Sequence, residues 1–346
     1  PDDMTRLILF LLIAVHLGVS TRVALASDAG RSAVVVMYHR FGENQFPSTN
    51  IRIEQFEEHL RILQSEDVPV LPLSRIIDRL SAGETLPDRA VAITVDDAYK
   101  SVMTEAWPRL KAAGYPMTLF VSTDMVDAAS PGVLSWDDIR QLADEGMEIA
   151  HHTAGHAHLT RITPEEVVAE LDRAAERFKS ELGHVPALFA YPYGEASLAV
   201  REAVRAYGFK AAFGQHSGPT HAGSDFHYLP RFALNERYGE TDRFNLAIGT
   251  LPIPATDISP KDMALTAANN PPQFGFTLTQ RLDNSDLMNC FASHLGQVAV
   301  NRLGENRVEV RFDKPFPTGR GRINCTVPAT GGGWRWIGTQ FVIDPQ

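Results

Sequence analysis

The chain has 346 residues, of which 44% are hydrophobic and 21% charged, with a formal net charge of −10. That is the composition of a globular protein with enough length for two domains. The negative balance argues against nucleic acid or an anionic membrane surface as the main partner and leaves neutral or cationic substrates open.

The N-terminus has the pattern of an export signal. Arg6 precedes an apolar run over residues 7–17, and Ala24-Leu25-Ala26 forms a small-residue cleavage site before Ser27. Residues 1–26 are therefore expected to be a signal peptide, with the mature chain periplasmic or secreted. The run is short for a membrane span and no second one follows, so no stable span is expected after cleavage.

From residue 32 to 249 short apolar runs alternate with helical stretches. Residues 33–38 (AVVVMY) and 90–95 (AVAITV) read as buried strands, with further candidates at 117–121, 147–150, 188–191 and 210–213. Between them, Phe56, Leu60 and Leu63 share one helical face. Ser135 is an N-cap for a helix that turns Ile139 and Leu142 inward, with Gly146 just past its end. Thr163-Pro164-Glu165-Glu166 is a capping box, followed at helical spacing by Val167, Leu171, Phe178 and Leu182. Alternating β and α elements with continuous apolar strands predict an α/β fold with a parallel sheet wrapped by helices, closed as a barrel or distorted barrel or left open and doubly wound.

Residues 250–268 open with Leu251-Pro252-Ile253-Pro254 and read as a linker. Residues 269–346 then show alternating strands near 274–278, 307–312 and 334–337 between Gly- and Pro-rich turns, which predict a small antiparallel β-sandwich. The only cysteines, Cys290 and Cys325, both fall in this region, and in an exported chain they are expected to form a disulfide. Trp334, Trp336, Phe274 and Phe291 invite a glycan-binding reading of this domain, although aromatics at alternating positions are more often sandwich core.

The chemistry is concentrated in two runs, Thr94-Val95-Asp96-Asp97 and His152-Thr153-Ala154-Gly155-His156. Each follows a predicted strand, and carboxyl ends of parallel strands converge on one face. One carboxylate and two imidazoles suit a divalent metal with an open position for water, and the remaining carboxylate is left for proton transfer.

In these motifs residues 33–248 resemble the polysaccharide deacetylases, the NodB-homology group of carbohydrate esterases. That family's Thr-Phe-Asp-Asp-Gly motif stands here as Thr94-Val95-Asp96-Asp97-Ala98, its His-Ser/Thr-x-x-His motif as His152 to His156, and its Arg-Pro-Pro-Tyr-Gly motif as Ala190-Tyr191-Pro192-Tyr193-Gly194. The resemblance implies a distorted (β/α) barrel of NodB type, with Asp97, His152 and His156 as metal ligands and Asp96 as general base. It also implies the backbone N–H of Tyr193 as an oxyanion donor. Zinc is the first choice of metal, with cobalt or nickel as alternatives.

The chain departs from the family at two places. Ala190 replaces the arginine that steadies the catalytic aspartate, and Arg231 in Leu229-Pro230-Arg231-Phe232 is the candidate to take over. The late Leu-x-x-His motif is absent. His39, in a Tyr38-His39 pair resembling exopolysaccharide deacetylases with permuted motifs, is then the first candidate for the general acid, and His216 the second. Strand alternation turns His151 away from His152, and His158 is likewise left out of the ligand set. Tyr99 and Trp136 are candidates to line a sugar groove. The expected activity is metal-dependent removal of N-acetyl groups from an acetylated amino-sugar polysaccharide, with the poly-N-acetylglucosamine type first. O-acetyl esterase activity on xylan or another glycan and a non-catalytic glycan-binding scaffold are the alternatives.

Overall fold

The computed structural model describes residues 28–344. The expected signal peptide lies outside the described residues. Among them no helix is long and apolar enough to cross a membrane.

The first sheet is built from β1 (Ser32–Tyr38), β2 (Ala90–Asp96), β3 (Thr118–Val121), β4 (Glu148–His151), β5 (Leu188–Ala190), β6 (Ala211–Phe213) and β7 (Phe232–Ala233). They lie in the order β7-β1-β2-β3-β4-β5-β6, every pair parallel. Every residue of β1 and β2 is buried, which is why these strands read as unbroken apolar runs rather than alternating ones. The helices that cover them start where the sequence predicts. Ser135 accepts from Asp138 N and Thr163 accepts from Glu166 N, each as half of a reciprocal capping box.

The sheet curls back on itself as a distorted barrel. Leu229 bridges to Phe213 at the end of β6, and three residues later Phe232 pairs with Val36 of β1. The chain from Leu229 to Ala233 thus joins the two edges, and Pro230 and Arg231 lie between them.

The second sheet-rich domain contains β8 (Ala255–Ser259), β9 (Phe274–Leu278), β10 (Asn289–Ala292), β11 (Gly296–Leu303), β12 (Arg307–Arg311), β13 (Gly319–Pro328) and β14 (Trp334–Ile343). They run antiparallel in the order β14-β13-β10-β11-β12-β9-β8. β11 pairs with β10 through residues 296–298 and with β12 through 299–303, so one long strand carries the chain from one layer to the other. Phe274, Phe276, Val308, Val310, Ile323 and Phe341 fill the space between. Cys290 and Cys325 stand opposite each other on β10 and β13 and are bonded.

The stretch expected as a linker supplies strands instead. Leu251–Pro252 lies parallel to β14, Ala264–Leu265 joins the same strand, and residues 255–259 are β8. Leu251–Pro252 is at the sheet edge, where a proline costs no ladder bond. The domains share apolar packing: Leu159, Leu171, Phe189 and Tyr191 belong to one buried cluster with Ile253, Met263, Phe274 and Phe341.

Candidate active site

The site lies at the carboxyl ends of β1, β2, β4 and β5. Asp96 is the last residue of β2, and the ladder continues one step as Asp97 N donates to Phe120 O. His152 follows β4, with its N–H on Val121 O at 3.0 Å. After each strand the backbone turns sharply into the left-handed region: φ is 76° at Asp97, 49° at Ala98, 66° at Thr153 and 52° at His156. Ala98 occupies the place of the family's glycine, and its positive φ shows why glycine suits that turn.

The imidazole of His152 donates from Nδ1 to the carbonyl of Ala190 at 2.7 Å, which leaves Nε2 as a lone-pair acceptor. That nitrogen is 3.5 Å from Asp97 Oδ1, and His156 Nε2 is 3.2 Å from the same oxygen. Among the described residues Asp97 Oδ1 and His152 Nε2 are both buried without a hydrogen-bond partner. A divalent cation between them would satisfy both acceptors at once. The potential ligand atoms of Asp97, His152 and His156 all lie within 4.8 Å of one another, so the set fits a divalent metal.

Asp96 faces Arg231. Nη1 donates to Oδ1 at 2.7 Å and Nη2 to Oδ2 at 2.8 Å, and neither side chain is exposed. Arg231 is itself held by Gly214 O through Nε at 3.0 Å and lies over the Phe120 ring at 5.1 Å. Burial pushes the Asp96 carboxyl up, but Arg231 and His152 outweigh it and hold the group below the usual carboxylate range. Asp97 is also pushed up by burial, and the adjacent imidazoles of His152 and His156 bring it well below that range.

His39 follows β1 and is partly buried. Burial lowers its pKa against the opposing pull of Asp97 and Asp96, which places its ring within electrostatic reach of both carboxylates. His216 is elsewhere. It packs on Tyr228 with ring centroids 4.4 Å apart and lines a cavity of about 370 Å³ between the domains, where burial brings its pKa to about 3. His151 is fully buried, accepts from Thr153 N and packs among Phe178, Phe189 and Phe209. His158 is stacked flat on Tyr193 at 4.0 Å with its Nδ1 on Glu195 at 2.7 Å. Trp136 is core, edge-on to Phe178 with its indole N–H on Asp127. Tyr99 stands beside Asp97 with the guanidinium of Arg40 over its ring at 3.4 Å, and Arg40 also covers Phe46 at 4.0 Å. Phe46 is exposed, so this stack rims the site. Tyr193 has φ 59° and ψ 4°, and its ring meets His156 edge-on at 4.5 Å.

Comparison with known proteins agrees with this geometry. Residues 83–212 match the polysaccharide deacetylase family. The chain carries a polysaccharide deacetylase domain. It is 23% identical over 176 residues to a putative polysaccharide deacetylase, YxkH, of Bacillus subtilis, a match covering 51% of this chain and 62% of that protein. It is 22% identical over 268 residues to a poly-beta-1,6-N-acetyl-D-glucosamine N-deacetylase of Staphylococcus aureus, covering 66% of this chain and 92% of the relative. Among solved structures, IcaB from Ammonifex degensii superposes with a TM-score of 0.56 at 25% identity, covering 64% of this chain and 98% of that one. The Streptococcus pyogenes deacetylase PplD in complex with acetate gives a TM-score of 0.58 at 19% identity, over 63% and 98%. As a deacetylase domain, this one takes its aspartate-bound arginine from the strand that closes the barrel, while position 190 contributes a backbone carbonyl to His152.

Sequence reasoning missed the residues that the second domain brings to this place. Gln340 Nε2 donates to Tyr193 O at 3.0 Å, and Arg320 lies over the Tyr193 ring at 5.6 Å. No motif marks either one. Only the approach of β14 and β13 to the third-motif loop makes them relevant.

Proposed function

We propose that the protein is an exported, metal-dependent deacetylase that hydrolyses N-acetyl groups of an amino-sugar polymer, poly-N-acetylglucosamine first, to acetate and free amines. The observation that carries this reading is the pair of buried acceptors unpartnered among the described residues, Asp97 Oδ1 and His152 Nε2, with Asp97 next in the chain to the carboxylate that Arg231 grips.

Asp97, His152 and His156 would hold a divalent ion, which when bound would supply Lewis-acid polarisation and lower the pKa of water. Asp96 takes the proton of the attacking water; each of its oxygens already accepts one hydrogen bond from Arg231 and keeps a second lone pair for that purpose. Arg231 fixes the direction of that lone pair and keeps the base ionised. The Tyr193 N–H is the donor assigned to the carbonyl oxygen as negative charge develops there. His39, neutral at rest because of its burial, takes up a proton within the site and passes it to the departing amine nitrogen. The balance is one water consumed and one C–N bond broken per acetate released. The exposed Phe46, the Arg40–Tyr99 stack beneath it and the Tyr193 ring supply faces on which a pyranose ring can pack.

Acetate release should be measured with zinc-loaded protein on N-acetylglucosamine oligomers with β-1,6 links, chitin oligomers, peptidoglycan and acetylated xylan. Release from the amide-linked substrates that disappears on chelation and returns with zinc is the expected result. Release confined to xylan would replace the amide reading with an ester one. Binding without release from any substrate would leave only a scaffold.

A further inference from the structure

The third-motif loop places two consecutive residues in the left-handed region, Tyr193 at φ 59° and Gly194 at φ 68°. Gly194 is obligatory, because a Cβ there would lie 2.6 Å from Gln215 N. Tyr193 has no such licence, and a tyrosine keeps that conformation only where its surroundings over-determine it. The catalytic domain holds part of the loop: Gly194 N donates to Tyr191 O at 2.9 Å, Tyr228 Oη donates to Gly194 O at 3.3 Å, and the His158 ring lies flat on Tyr193.

The Tyr193 carbonyl is held from the other domain. Gln340 sits on β14, is 1% exposed, and donates to that carbonyl at 3.0 Å. Its own Oε1 is buried with no partner among the described residues. An apolar side chain of the same shape would avoid that desolvation, so the amide is retained at a cost in stability where only a donor can reach Tyr193 O. The strand is pressed against the catalytic domain: a Cβ on Gly338 would stand 2.1 Å from Ser217 O. Arg320 on the adjacent β13 covers the Tyr193 ring.

We infer that Gln340 is a positioning residue for the oxyanion-binding peptide, which makes the second domain a working part of the deacetylase site. Fixing the Tyr193 carbonyl fixes ψ, and clamping its ring between His158 and Arg320 fixes the side chain. With both held, the position of the Tyr193 nitrogen about Cα is set, and the turn closed by Gly194 N on Tyr191 O limits the remaining rotation about N–Cα that aims the Tyr193 N–H. The inference rests on the proposed hydrolytic role of that N–H.

The test uses full-length, zinc-loaded protein with Gln340→Met, which keeps shape and removes the donor, and Gln340→Glu, which turns a carboxylate towards the carbonyl. Expected are a fall in kcat for acetate release of about ten- to a hundredfold in Gln340→Met, a larger fall in Gln340→Glu, and KM within about twofold of wild type. Zinc affinity should be unchanged. Hydrogen exchange at the amides of residues 193–195 should quicken in Gln340→Met while the amides of β1 and β2 keep their protection. Unchanged kcat and unchanged exchange at 193–195 would overturn the inference. So would loss of protection throughout both domains in both variants, which would assign Gln340 to general stability. If wild-type protein releases acetate from no acetylated glycan, the hydrolytic reading fails by itself, and the exchange comparison alone decides whether Gln340 holds the loop.

Discussion

Arg231 and Asp96 meet through two N–H···O bonds at the carboxyl end of β2, joining residues 135 positions apart with no solvent at either end. The pair gives the Asp96 carboxylate its guanidinium although position 190 is alanine. The guanidinium arrives from the segment that closes the barrel, and a planar fork is what a buried carboxylate needs to accept two bonds at once.

Replacing Arg231 should therefore be severe, and informative in two ways. Arg231→Ala leaves Asp96 buried and unpaired, at a cost of about 3–5 kcal/mol in stability. Arg231→Lys restores charge without the fork and should retain the fold with kcat reduced on the order of a hundredfold. Because burial pushes Asp96 up and Arg231 pulls it down, weakening the pair raises the carboxyl pKa. The acidic limb of the kcat/KM profile should then move to higher pH in Arg231→Lys. A profile superimposable on wild type would separate Arg231 from the base.

Metal binding can be read without turnover. A ligand that binds only the folded state stabilises it by RT ln(1 + [L]/Kd), about 2.7 kcal/mol at a hundredfold excess over Kd. Metal-free protein should gain melting temperature on zinc addition, and His152→Ala or Asp97→Asn should abolish the gain. Equal zinc-induced shifts in wild type and both variants would place the ion elsewhere.

The strands that carry the motifs were legible because burial on both faces leaves an unbroken apolar run, as in β1 and β2. The capping boxes at Ser135 and Thr163 are local chemistry and can be read directly. What could not be read depends on contacts distant in sequence. Two-residue β7 has no pattern of its own and exists because two sheet edges meet at it. Residues 250–268 look like a linker because Pro252 and Pro254 signal a loop, yet Pro252 sits in an edge strand where its missing N–H goes unused. Trp336, open to a glycan reading from sequence, packs on Phe232 of the catalytic domain, and Phe274 is core, whereas Phe291 and Trp334 are exposed. Gln340 is one of three polar residues in its strand, with Arg335 and Thr339, and nothing in the chain announces that it ends on Tyr193.

Acid should weaken the fold through histidines buried in neutral form. His59 is the clearest case: Tyr38 Oη donates to its Nδ1 at 2.8 Å, its Nε2–H donates to Gly239 O at 2.7 Å, and burial lowers its pKa to about 4. His151 and His216 lie at about 3 for the same reason. The unfolded chain takes these protons near pH 6.5 and the folded chain does not, so stability is complete above that value and falls as pH drops towards 4. For His59 alone the loss is roughly 3 kcal/mol across the window. Denaturant midpoints of metal-free protein should fall between about pH 7.5 and pH 5, and His59→Gln should be weaker at the higher pH but show a smaller fall. A midpoint that rises on acidification would contradict the burial argument.

Truncation after Gly249 should not yield a folded catalytic domain. Here Leu159, Leu171, Phe189 and Tyr191 share one buried cluster with Ile253, Met263, Phe274 and Phe341, and Trp336 covers Phe232. Uncovering large apolar side chains costs about 1.5–3 kcal/mol each, and a domain has only about 5–15 kcal/mol of net stability to lose. A fragment of residues 28–249 is expected to be insoluble or to bind hydrophobic dye without a cooperative melt. The same fragment purified as a monomer with a sharp thermal transition would mean that the interface is dispensable for folding, and the packing argument between the domains would have to be withdrawn.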